Sequence, residues 1–86
     1  MKIIKISAIW CGACIVMNKI WKDVKNDFSD IEIEELDLDF DEEEVKQYNV
    51  GDTLPVLIFM DDSIEKDRLV GEKTKEEVYS FIERNR

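Results

Sequence analysis

Apolar residues recur along this chain with two periods, and the switches between them mark out the elements. From Lys2 to Ile9 the period is two: Ile4, Ile6 and Ala8 fall on one side and Ile3, Lys5 and Ser7 on the other, as in a strand. Met17, Ile20, Trp21, Val24 and Phe28 then recur at helical spacing, with Asn18, Lys22, Lys25 and Asn26 opposite them. The stretch IEIEELDLDF returns to alternation through Ile31, Ile33, Leu36 and Leu38, its phase slipping by one at Glu34 and Glu35. That pattern predicts a half-buried strand with a bulge at the slip.

Asp41 with Glu44 makes an N-terminal capping pattern, and Val45 and Tyr48 give a short helix an inner face before Gly51. PVLIFM is a continuous apolar run between polar flanks, which suits a strand covered on both faces. After a turn at Asp61 to Ser63, Lys66 to Val70 form a shorter strand ending at Gly71. Thr74 and Glu77 repeat the capping pattern ahead of Val78, Phe81 and Ile82, the inner face of a terminal helix.

The predicted order is β-α-β-α-β-β-α. Strands separated by helices are parallel neighbours joined by right-handed crossovers, and two adjacent late strands make a hairpin. The expectation is an α/β fold, a mixed four-stranded sheet with helices on both faces. Reactive groups in such sheets collect beyond the carboxyl ends of the parallel strands, and Cys11 falls there, at a strand-to-helix junction.

Composition narrows the picture. The 86 residues suffice for one domain, residues 1–86, which at this size buries about 60 to 65% of its unfolded surface and folds alone. Apolar residues are 44% and charged residues 38%, with no repeat or low-complexity segment, as in an ordered globular protein. The opening MKIIKISAIW is short and interrupted by Lys5, with no small-residue cleavage site before the cysteines. Neither a secretory signal nor a membrane span is expected. The net charge of -9, concentrated between Asp30 and Asp62, disfavours nucleic acid. It reads as a solvated, solubilising surface in preference to a dedicated site for a basic partner.

Cys11 and Cys14 are the only cysteines, and there is no histidine. Disulfide-stapled extracellular domains carry more cysteines at wider separations, and structural zinc takes four protein ligands. Redox chemistry in a reducing compartment, the cytoplasm, is the favoured use of the pair. The reacting species is a thiolate, stabilised by the free N–H groups and dipole of a helix N-terminus. This position makes Cys11 an exposed nucleophile and Cys14, almost a turn further in, the resolving thiol. Gly12 tolerates the tight turn between them, and the small Ala13 leaves the sulfurs accessible. Trp10 is either a rim aromatic filling core space or a lid that touches substrate. Pro55, the only proline, has an ordinary explanation at the first residue of a strand.

Taken together, WCGAC, TLPVLIF with its proline 44 residues after Cys11, and RLVG ending 16 residues after Pro55 resemble the thioredoxin superfamily over nearly the whole chain. The resemblance implies the thioredoxin fold and protein disulfide reduction, with Cys11 attacking, Cys14 resolving and a cis bond between Leu54 and Pro55. It implies that Pro55 packs on the cysteine turn, that Leu54 backbone pairs with an extended substrate, and that Gly71 admits the partner closely. With Trp10 these form a shallow apolar groove. No bound cofactor is implied beyond the Cys11–Cys14 redox couple. The implied partners are protein disulfides and a flavin-dependent thioredoxin reductase as electron donor; the chain is expected to be a monomer, without metal, nucleic acid or membrane.

Three features depart from that family pattern. The chain opens on the strand that carries WCGAC, so a preceding strand and helix are missing and the topology resembles glutaredoxins. Ala13 stands where thioredoxins carry proline. Lys5 and Glu35 occupy the positions of a buried Asp and a Lys that serve proton transfer in thioredoxins, the pair with its signs exchanged. Glu35, or Lys5 and Glu35 as a coupled pair, would take the proton from Cys14; the alternative is a plain cross-strand salt bridge.

Two rival readings differ in chemistry. Glutathione-dependent, glutaredoxin-like exchange fits the topology, Thr53-Leu54-Pro55 and Gly71-Glu72, but an acidic surface would repel the carboxylates of glutathione. A dimer pooling four thiolates around zinc or an iron-sulfur cluster is the rival from another class, and a proline beside the cysteines would crowd it.

Overall fold

The computed structural model describes all of residues 1–86. The elements run β1 (Lys2–Ser7), α1 (Gly12–Val16), α2 (Asn18–Asp27), β2 (Glu32–Asp37), α3 (Glu42–Lys46), β3 (Val56–Asp61), β4 (Ile64–Val70) and α4 (Lys75–Asn85). They build a four-stranded sheet in the order β2-β1-β3-β4. β1 is parallel to β2 and antiparallel to β3, and β3 is antiparallel to β4. The mixed sheet with helices on both faces is the expected α/β architecture.

Apolar patterning explains why β1 and β3 are central. In β3 both sides are covered: Leu57 and Phe59 join the apolar cluster of one sheet face, Val56 and Ile58 that of the other. The first cluster sets Ile3, Leu57 and Phe59 against Met17, Trp21, Val24 and Phe28 of the α2 segment and Val78, Phe81 and Ile82 of α4. The second holds Ile4, Ile6, Leu36, Val56 and Ile58 with Val45 of α3, and Cys11, Cys14 and Leu54 belong to it. The dithiol is thus anchored to the core at the carboxyl end of β1.

Three local expectations are corrected. The single helix read after the cysteines is two: α1 ends at Val16 and α2 begins at Asn18, with Met17 between them at φ -81°, ψ -2°. The interruption lets the chain change cores, since Cys14 packs into one cluster and Met17, fully buried, into the other. The bulge expected at Glu34 and Glu35 is not there. β2 runs in unbroken register from Lys2↔Glu32 to Ser7↔Asp37, and the sheet's irregularity falls between Phe59 and Met60. What slips is the chemistry of the side chains: Glu35 takes the position opposite Lys5 and bonds it, while Glu34 pairs with Lys2.

Asp41 does sit at the N-cap of α3 but makes no side-chain cap bond. Its carboxylate accepts the Asp37 N–H at 2.8 Å instead, closing the end of β2. The capping box before α4 forms as expected: Thr74 Oγ1 accepts the Glu77 N–H at 3.2 Å, and the Thr74 N–H reaches Glu77 Oε1 at 3.4 Å.

Candidate active site

Cys11 is the N-cap of α1, with extended backbone at φ -85°, ψ 109°. Its sulfur accepts the backbone N–H of Cys14 at 3.2 Å, a bond that stabilises negative charge on Sγ. The junction is pinned on either side, since the Cys11 N–H bonds Ala8 O at 3.1 Å and the Ile15 N–H bonds Cys11 O at 3.2 Å. Cys11 was expected to be exposed; it is 8% accessible and Cys14 5%. Leu54, Ala8 and the cysteines pack in one cluster, so little of Cys11 is open to a partner.

Gly12 is also placed differently from the expectation. It lies in the first turn of α1 with no positive φ, and a Cβ there would meet nothing within 4 Å. Its contribution is open space beside Cys11, not backbone freedom.

The Leu54–Pro55 bond is cis, and Leu54 shares the cysteines' cluster. Gly71 is tied to the same edge, its N–H donating to Pro55 O at 2.9 Å. At φ +91° its backbone favours glycine, and a Cβ would stand 3.4 Å from Thr53 Cγ2. Trp10 is 63% exposed, which removes the core-filling alternative. Cys11, Leu54, Pro55, Gly71 and Trp10 therefore gather at one end of the sheet.

A family model described as Thioredoxin matches residues 1–84. The chain belongs to the thioredoxin family. It is 31% identical to a thioredoxin of Chlamydia caviae over 87% of this chain and 72% of that one. To thioredoxin H5 of Oryza sativa it is 34% identical over 98% of this chain, spanning 62% of the relative. The structure of Fasciola hepatica thioredoxin superposes with a TM-score of 0.90 at 25% identity, covering 99% of this chain and 80% of that one. Thioredoxin NaTrxh of Nicotiana alata superposes with a TM-score of 0.91 at 24% identity, covering 99% and 72%. With its two cysteines as a CxxC dithiol, this member of the thioredoxin family is a thiol-disulfide oxidoreductase.

Behind the dithiol lies the charge pair in which the chain departs from the family pattern. Lys5 Nζ donates to Glu35 Oε1 at 3.1 Å and sits 5.2 Å from the centre of the Trp21 ring. The Lys5 side chain is 8% accessible and that of Glu35 50%, so a buried ammonium is met by a half-exposed carboxylate. Lys25 binds the same oxygen at 3.3 Å. Hydrogen bonding from Lys5, then from Lys25, holds the Glu35 carboxyl below the ordinary range against the opposing effect of burial.

Cys14 and the pair line neighbouring depressions. A depression of about 250 Å³ is lined by Cys14, Ser7, Asn18 and Asp37 among others. A second, of about 360 Å³, is lined by Lys5 and Glu35 and shares Ser7, Asn18 and Asp37 with the first.

Three residues that shape the site escaped the sequence reading. Asp39 accepts the Trp10 indole N–H at 2.8 Å; the partners are 29 positions apart, and alternation in β2 says nothing of it. Arg68 donates to the carbonyls of Tyr48 and Asn49 while bonding Glu65, bracing the segment that leads to Pro55. Lys25 could have been found, since it falls one helical turn after Trp21. No group of three or more His, Cys, Asp or Glu side chains converges to hold a metal ion.

Proposed function

We propose that this protein reduces disulfides of other proteins, with Cys11 as nucleophile and Cys14 as resolving thiol. The observation that carries the reading is the placement of Cys11 Sγ, bonded by the Cys14 N–H, in the same cluster as Leu54. The Cys11 thiolate attacks one sulfur of the substrate disulfide; that S–S bond breaks, one substrate thiolate leaves, and a mixed disulfide forms. Cys14 then attacks Cys11 Sγ, closing the Cys11–Cys14 disulfide and releasing the second substrate thiolate. Two electrons pass to the substrate, and the two protons shed by the dithiol end on its thiols. Substrate docks with its backbone against Leu54 in a groove formed by Trp10, Gly12, Ala13, Pro55 and Gly71.

The chain works as a monomer in the cytoplasm and regains electrons from a flavin-dependent thioredoxin reductase; the lone cysteine pair supports the reducing compartment. A redox titration against dithiothreitol or glutathione tests the direction. A potential near or below about -200 mV is expected, and one well above it contradicts a reductase.

The Lys5–Glu35 pair assists removal of the Cys14 proton, with Glu35 as the accepting group. A carboxylate held below its ordinary range is a weak base near neutrality and keeps the proton only briefly; the Lys5 ammonium, already protonated, favours a thiolate at Cys14, and solvent in the adjoining depressions relays the proton to Glu35 and on to bulk water. Oxidation rates of the Glu35→Gln dithiol between pH 5 and 9 should follow a profile displaced from that of the unaltered protein. Superimposable profiles would leave the pair a structural salt bridge.

A further inference from the structure

Most of the large exposed apolar side chains of this molecule lie at one end of it, together with three exposed acids that make no ion pair. Of the eight large hydrophobic residues left exposed, Ile9, Trp10, Ile15, Val16, Phe40 and Val70 lie on segments at the cysteine end of the sheet; Met1 and Ile64 do not. Register fixes that common end: Ser7 pairs with Asp37, Ile6 with Val56, and Val56 with Val70.

The loops at this end carry Asp39, Asp41, Asp52, Glu72 and a single cation, the half-buried Lys73. Asp39, Asp52 and Glu72 are exposed, and none takes part in any of the ion pairs of the molecule. Their positions bracket the dithiol. Asp39 is locked to Trp10 by the 2.8 Å indole bond, on one side of Cys11. On the other, Glu72 follows Gly71, which is bonded to Pro55 O, and Asp52 precedes Thr53, whose methyl abuts Gly71. Lys19, Lys22 and Lys25 of α2 line a depression with Lys5 and Glu35.

We propose that the surface around Cys11 docks disulfides held in apolar segments that carry Lys or Arg, and turns away segments that carry Asp or Glu. The proposal rests on the reading of Cys11 as the attacking thiol and names its substrate class. Apolar anchors around the opening give contact area, and an unpaired acid on either side of the bound strand supplies the complementary charge. Such fields act mainly on encounter rate and partner choice. The acidic excess that reads from composition as a solvated surface thereby has a second use at this end of the molecule.

The test uses the reduced full chain and three disulfide-looped peptides of equal length and apolar content, with Lys and Arg, Gln, or Glu beside the cysteines. Neighbouring charge alters the reactivity of any disulfide, so each rate constant is divided by that of the same peptide with dithiothreitol. At low ionic strength the Lys/Arg peptide should react about tenfold or more faster than the Glu peptide. The ratio should fall to about twofold at high salt, where the Debye length shrinks to about 3 Å. Asp52→Asn with Glu72→Gln should narrow the low-salt ratio severalfold, and Asp52→Lys with Glu72→Lys should reverse it, folding being followed by thermal melting. Equal corrected rates for the three peptides, or a ratio that neither double variant moves, would overturn the proposal. Failure to react with any of the peptides would instead overturn the assignment of Cys11 on which it stands.

Discussion

Gly71 and Gly12 show how differently one residue type is used within a single site. At φ +91° Gly71 occupies backbone that costs a side-chain-bearing residue about 1–2 kcal/mol. Gly71→Ala should therefore lower stability by roughly that amount, a fall in melting temperature of about 4–16 °C for a domain of this size. Gly12 is helical with free space around its missing Cβ, so Gly12→Ala should raise stability by about 0.5–1 kcal/mol. Thermal melts of the two variants check the contrast directly, and a shift of the same sign in both would contradict it. Lys5 makes the complementary point for charge. A lysine this buried needs a partner, and it has Glu35 at 3.1 Å with the Trp21 ring beside it.

At the scale of elements, α2 and α4 pack on one sheet face and are tied at their edge by Tyr79 and Asp27. The phenol donates to Asp27 Oδ2, and its ring stands edge-on to Phe28 with centroids 5.1 Å apart. That hydrogen bond, then desolvation and the charges of Asp27 and Asp23, push the phenol pKa up to about 12. A pKa raised in the folded state means a contribution present in full below the unfolded value near 10 and lost as pH climbs through 12. Ultraviolet titration of tyrosinate should show one phenol ionising near 12, and Asp27→Asn should bring it back toward 10. A Tyr79 that titrates alike in both would break the link.

Elements are also where the sequence was easiest and hardest to read. Strand and helix order, the buried β3 and the Thr74 capping box were legible because period and capping are local properties. The break at Met17 was not, because Met17 fits the same helical stripe as Trp21 and Val24; only the existence of two cores explains it. The phase slip in β2 suggests a bulge only because alternation counts Glu35 as polar; the register is unbroken. A glutamate facing a buried lysine satisfies the inward position without any bulge. Asp41 carries the right residue type for a cap, yet the Asp37 N–H claims its carboxylate.

For the whole molecule, the distribution of charge matters more than its sum. Composition reports -9; the fold places Asp39, Asp52 and Glu72 at the dithiol end of the sheet and Lys19, Lys22 and Lys25 together on a flank along α2. Cys11, Cys14, Pro55 and Gly71 can be grouped from sequence because their spacing resembles a family pattern, and the fold brings them to one end of the sheet. Asp39 and Arg68 were not, since their partners lie 29 positions away in the first case and about 20 in the second. Such contacts arise only when the sheet brings loops from four parts of the chain to one end. The mechanism turns on which sulfur attacks. Reduced Cys14→Ser protein, mixed with a disulfide-looped peptide, should accumulate a mixed disulfide that mass mapping places on Cys11, while Cys11→Ser accumulates none. An adduct on Cys14 in the Cys11→Ser protein, formed at a comparable rate, would contradict the mechanism.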